Sequence, residues 1–188
     1  MKNLCIIVCG GRIHPNEYNK TDSEMRITKT IKIIANWKKS NRTLPYVILS
    51  GDYTCFGVPK GIREWKILRD EFKKQNKKLF DELNSNGHIE YEKESRETGG
   101  NIGNSHTKIK YLKWRYDKLY FIGPKDFQKL ISLNLYKYFR LKCPERIVVD
   151  SRENKVKFNY KKMISLLILL FNKKLQKYAV KKCCKKPS

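Results

Sequence analysis

The chain has 188 residues, with 42 Lys or Arg against 18 Asp or Glu, for a formal charge of +24. A hydrophobic content of 40% with 12% aromatic residues excludes a disordered chain and leaves room for one cored domain plus a small appendage. The charge suits nucleic acid, an anionic membrane or an anionic small ligand.

In chain order, residues 4–9 form a continuous apolar run, Leu-Cys-Ile-Ile-Val-Cys, which predicts a buried strand ending in Gly10 and Gly11. Over 24–39, Ile27, Thr30, Ile31, Ile34 and Trp37 recur at helical spacing, with Thr21, Asp22 or Ser23 as candidate caps. A second strand follows Pro45 over 46–49 and ends in Ser50, Gly51 and Asp52. Residues 62–83 predict a long helix striped by Trp65, Leu68, Phe72, Leu79 and Phe80, with a break near Gln75 and Asn76 and an end at Gly87. A short strand over 88–92, a helix over 98–116 and a strand over 119–122 come next, the last stopped by Gly123-Pro124. A helix over 126–139, a fifth strand over 146–149 and a basic helix over 160–182 complete the reading.

Continuous apolar strands alternating with helices of this length imply right-handed βαβ crossovers and a parallel sheet covered on both faces. The expected fold is a three-layer, Rossmann-like α/β domain with a mainly parallel sheet of about five strands. It covers 1–150, and 151–188 form a basic C-terminal helix and tail.

Sheets of this kind hold ligands outside the carboxyl ends of their strands. Those ends carry Gly10, Gly11 and Arg12, then Ser50, Gly51 and Asp52, then 92–101, then Gly123, Pro124, Lys125 and Asp126. Backbone amides at the helix start near Thr98 to Asn101 favour an anion. Asp52, Glu64 and Glu92 are the candidate bases, ribose acceptors or metal ligands. No dinucleotide or phosphate-loop fingerprint is present. His14, His88 and His106 read as incidental surface. Cys5 and Cys9 read as small apolar groups in a strand. No Cys-x-x-Cys pair suggests zinc.

The chain opens on a strand rather than a secretory signal, and its longest apolar run, 163–171, is too short to span a bilayer. A cytoplasmic setting is the expectation. The Lys-Lys-Cys-Cys-Lys-Lys tail would suit peripheral membrane contact through an acylated cysteine pair and its polybasic flanks.

At these same residues the chain resembles the YdcF/SanA/ElyC-like family, Rossmann-like domains of largely undefined activity. The likeness rests on Val8-Cys9-Gly10-Gly11, on Arg26 in the first helix, on Ser50-Gly51-Asp52 and on Glu64 opening the next helix. Its most specific block is Glu-x-x-Ser-x-x-Thr-x-Glu-Asn, matched by Glu92, Ser95, Thr98 and Asn101, with Ser95-Arg96 matching a frequent pair. Gly100 replaces the family's second glutamate, and Asp126 and Lys129 stand where relatives carry a His and an Arg. The resemblance implies S-adenosylmethionine or another nucleotide-like ligand.

Three functions follow as expectations. The first is binding of an anionic, nucleotide-like or phosphate-bearing small molecule, with hydrolase or transferase chemistry as its extension. Here Arg26 and Arg96 clamp the anion, Gly10 and Gly11 add amides, and Ser50, Gly51, Ser95, Thr98 and Asn101 orient it. The second is nucleic-acid binding, with Tyr111, Trp114, Arg115 and Tyr116, or Tyr136, Tyr138 and Arg140, mixing rings with charge. Ten of the 42 basic residues are arginine, so lysine dominates, which also fits a compositional bias. The third is a catalytically inactive adaptor that meets a membrane or a partner through 160–188.

Overall fold

The computed structural model describes residues 3–10, 20–52, 63–95 and 98–123, together with Ile131, Asn134, Leu135, Tyr138 and Phe139. The chain divides into Met1–Ser151 and Arg152–Ser188, and every described residue belongs to the first unit. The expected fifth strand and basic C-terminal helix lie outside the described residues.

The described elements alternate: β1 (Leu4–Cys9), α1 (Lys20–Asn41), β2 (Tyr46–Ser50), α2 (Glu64–Ser85), β3 (Ile89–Glu92), α3 (Thr98–Tyr111) and β4 (Lys118–Ile122). All four strands are parallel and lie in the order β3-β2-β1-β4. This is a Rossmann-like α/β arrangement, with the crossover direction reversing between β1 and β4.

Alternation of side chains along β1 builds two cores. Leu4, Ile6 and Val8 face α1 and α2, where they meet Ile27, Ile34, Leu68, Phe72 and Leu83. Cys5, Ile7 and Cys9 face the other way, onto Ile102 and Ile109 of α3. Ile131, Leu135 and Phe139, helical where described, join that second core. Every residue of β1 is buried, which accounts for its unbroken apolar sequence.

α1 begins at Lys20, ahead of its expected caps, and Asp22 and Ser23 are buried in its first turns. α2 breaks at Asn76 (φ −156°, ψ 79°), whose Oδ1 accepts from Leu79 N at 3.0 Å and so caps the second half. Gly87, at φ +65°, ends α2, with His88 N donating to Leu83 O and Gly87 N to Asn84 O. α3 stops at Tyr111 rather than at 116. Lys113 takes φ +56° there, Trp114 N donates to Ile109 O and Lys113 N to Lys110 O, so this is the same cap without a glycine. Trp114 then stacks on Tyr46, with ring centroids 4.6 Å apart.

Two histidines differ from expectation. His88 packs on Tyr46 and its Nδ1 lies 3.0 Å from Leu44 O, while His106 meets the Phe139 ring edge-on at 4.8 Å. Both are half-buried packing groups rather than incidental surface. His14 lies outside the described residues.

Candidate functional site

The carboxyl ends of β1, β2 and β3 are tied together by backbone before any side chain acts. Gly10 N donates to Ser50 O at 2.7 Å, Gly51 N to Glu92 O at 3.1 Å and Asp52 N to Ser95 O at 2.7 Å. The ladder therefore continues past the strands and fixes the start of each loop. α2 is docked on the same turn: Glu64 N donates to Asp52 O at 2.8 Å and Trp65 N to Gly51 O at 2.9 Å. Those first amides of α2 are spent inside the fold, so this helix start offers little to an anion.

This frame brings Arg26, Ser50, Asp52, Glu64, Glu92, Ser95 and Asn101 together as buried polar groups. Gly10 and Gly51 lie among them, and Thr98 is half-buried at the start of α3. Gly11 and Arg96 lie outside the described residues.

The three candidate carboxylates occupy different environments. Glu92 is saturated. It accepts from Ser50 Oγ at 2.7 Å, Ser95 Oγ, Ser95 N at 3.0 Å, Glu94 N at 2.7 Å and Asn104 Nδ2 at 3.3 Å. Its carboxylate pins the turn before α3 to β2. Asp52 forms an ion pair with Arg63, the residue just ahead of α2.

Glu64 is the exception. Its side chain fills the space that a Cβ on Gly10 or on Gly51 would need, and Gly51 sits at φ +133°, where only glycine is at ease. Glu64 Oε1 is buried with no hydrogen-bond partner among the described residues. Burial pushes its pKa up to about 8; Arg26 opposes the shift, and Asp52 and Glu92 add to it. The start of a helix alone would favour the anion; desolvation outweighs it here.

Arg26 reaches from α1 and donates through Nη1 to Cys9 O at 2.8 Å, with Asp22 at 3.8 Å. Its Nε has no partner among the described residues, and neither has Asn101 Oδ1. Asn101 Nδ2 lies 2.6 Å from Cys9 Sγ, and the thiol donates to Gly10 O at 3.4 Å. Burial pushes the Cys9 thiol up to about 12, with Arg26 and Asn101 opposing and Glu64 and Glu92 adding. Cys9 is thus a neutral member of the cluster and not a nucleophile.

Sequence reasoning missed Cys9, Arg63 and Asn104 as members of this site. Asn104 carried one usable signal, its position three residues beyond Asn101 on the same helix face. Cys9 was hidden in an apolar run, and Arg63 has no periodic mark. Among the described residues, no group of three His, Cys, Asp or Glu side chains is placed to hold a metal ion, and no helix is long and apolar enough to cross a membrane.

No protein-family model matches the chain, and no curated protein or solved structure is significantly similar to it.

Proposed function

We propose that the cluster at the ends of β1, β2 and β3 binds a nucleotide-like, phosphate-bearing small molecule. One observation carries the reading: Glu64, a buried carboxyl with an unpartnered oxygen, sits in a glycine cradle beside two further unpartnered polar atoms. Each such atom costs about 1–3 kcal/mol when left unsatisfied, a cost that a fitted ligand recovers. Two of the three, Glu64 Oε1 and Asn101 Oδ1, are oxygens able to accept from sugar hydroxyls, and Arg26 Nε is a donor. A ligand with both hydroxyls and an anionic group answers this mixture better than a bare phosphate does. The Thr98-Gly99-Gly100 start of α3 would hold the anionic part.

Glu64 is the residue for proton transfer in any hydrolase or transferase chemistry, because a pKa of about 8 lies near the working pH. Asp52 and Glu92 serve as scaffold in this reading, since Arg63 and the Glu92 donors engage them. The YdcF-like spacing of Glu92, Ser95, Thr98 and Asn101 supports the same kind of site, with S-adenosylmethionine among its candidate ligands. Buried free thiols at Cys5 and Cys9 suit a reducing, cytoplasmic setting.

Thermal-shift titration with nucleoside phosphates, S-adenosylmethionine and ribose 5-phosphate tests the reading. One of these classes should raise the melting temperature of the wild type, and the shift should shrink in Glu64→Gln and Arg26→Gln. Absence of a shift with all three, or an undiminished shift in Glu64→Gln, would count against the site.

A further inference from the structure

A second feature lies outside the buried cluster. Trp65, the second residue of α2, keeps a partly exposed indole at the same end of the sheet. Tyr91 of β3 tilts against it, with ring centroids 5.1 Å apart and 48° between planes. Three cations lie over this one indole: Lys93 Nζ at 4.9 Å, the Arg69 guanidinium at 5.5 Å and Lys66 Nζ at 5.7 Å from its centroid. Lys93 is also 5.8 Å from the Tyr91 ring.

A single cation over an indole is ordinary packing. Three at one ring leave positive charge that its quadrupole does not neutralise. Arg69 is offset by Asp70 at 2.8 Å. Lys66 and Lys93 are exposed and have no carboxylate partner among the described residues. Lys73 extends the basic row along α2, seven residues and about 10 Å beyond Lys66. β3 is the outermost strand on this side of the described sheet.

We propose that this edge binds single-stranded nucleic acid, with one base against the Trp65–Tyr91 pair and phosphates on Lys66, Lys93 and Lys73. Lysines act as point charges for phosphate, and aromatic faces stack any base, which is the combination single-strand binders use. A duplex hides its base faces. The Asp and Glu side chains of an acidic peptide meet the lysines but do not themselves stack on a ring. A membrane surface needs protruding apolar groups, and the large exposed hydrophobic side chain among the described residues is Tyr111, on α3. The aromatic–basic stretch expected to do this work, Tyr111 to Tyr116, is partly consumed by packing: Trp114 stacks on Tyr46 and Tyr116 lies against the second core. The proposal stands independently of the buried site.

The test is a tryptophan-fluorescence titration of the full chain with oligothymidylate, a duplex of equal length, inorganic polyphosphate and anionic phospholipid vesicles. Oligothymidylate should quench the emission, and Trp65→Leu should abolish the quenching and weaken binding at least about 5-fold. Lys66→Ala/Lys93→Ala, two exposed changes that leave the core alone, should reduce the slope of log affinity against log salt by about 1.4 (~0.7 per phosphate contact). Polyphosphate or duplex binding as tightly as the single strand, with the Trp65 signal silent, would mean bulk charge only and overturn the proposal. Vesicle binding that outcompetes the oligonucleotide, or an unchanged salt slope in the double variant, would overturn it as well.

Discussion

Three carboxyl groups within one polar cluster illustrate how little a residue type says about its role. Glu92, Asp52 and Glu64 look alike in sequence, and the spacing of Glu92, Ser95, Thr98 and Asn101 was legible because it lies within one turn and one helix start. What separates the three is supplied from elsewhere in the fold: Ser50 and Asn104 for Glu92, Arg63 for Asp52, and almost nothing for Glu64. The sign of the Glu64 effect on stability follows. The unfolded chain releases this proton near pH 4.5 and the fold holds it to about 8. Between those values the fold binds the extra proton, so its stability falls as pH rises and levels off above 8. Glu64→Gln should remove that slope and leave the variant more stable than wild type at pH 9, by roughly 1–4 kcal/mol. Urea unfolding at pH 5, 7 and 9 measures it; parallel curves for the two proteins would refute the assignment. Glu92→Ala should do the opposite and destabilise by about 3 kcal/mol at neutral pH, because hydroxyl and amide donors lose their shared acceptor. A loss under 1 kcal/mol in the same assay would show that solvent replaces Glu92 there. Cys9, with its thiol pushed up to about 12 mainly by burial, should resist alkylation at pH 8 until the protein is unfolded. Mass spectrometry of the Cys9 peptide decides this.

At the scale of elements, the helix ends show where local sequence is enough and where it is not. Gly87 announced the end of α2, and the break near Asn76 was visible in a polar interruption of the apolar stripe. The end of α3 was not visible. It uses the same hydrogen-bond pattern as α2 but places Lys113 at the left-handed position, so no glycine marks it. Tertiary packing enforces it: Trp114 leaves the helix to stack on Tyr46, and Ile109 and Trp114 share the second core. Lys113→Gly should therefore stabilise the fold by up to about 1 kcal/mol by relieving a left-handed lysine. Asn76→Ala should cost about 1 kcal/mol, since it removes the side-chain cap on Leu79. Paired thermal melts check both; a stabilised Asn76→Ala would mean that α2 prefers to run straight.

For the whole molecule, the parallel α/β class and the strand boundaries were legible from unbroken apolar runs, because strands buried on both faces leave that mark. Strand order was not, since it depends on which side of β1 each crossover lands. That order has a consequence for how the protein is made. β1 is an inner strand of the described sheet, and its second neighbour, β4, is among the last described elements to leave the ribosome. The bond between Asn3 N and Asp117 spans 114 residues. At about 5–20 residues per second, the nascent chain carries one side of its most apolar strand without its partner for roughly 6–23 s. Any factor that shields a hydrophobic edge during synthesis would find its substrate in this interval.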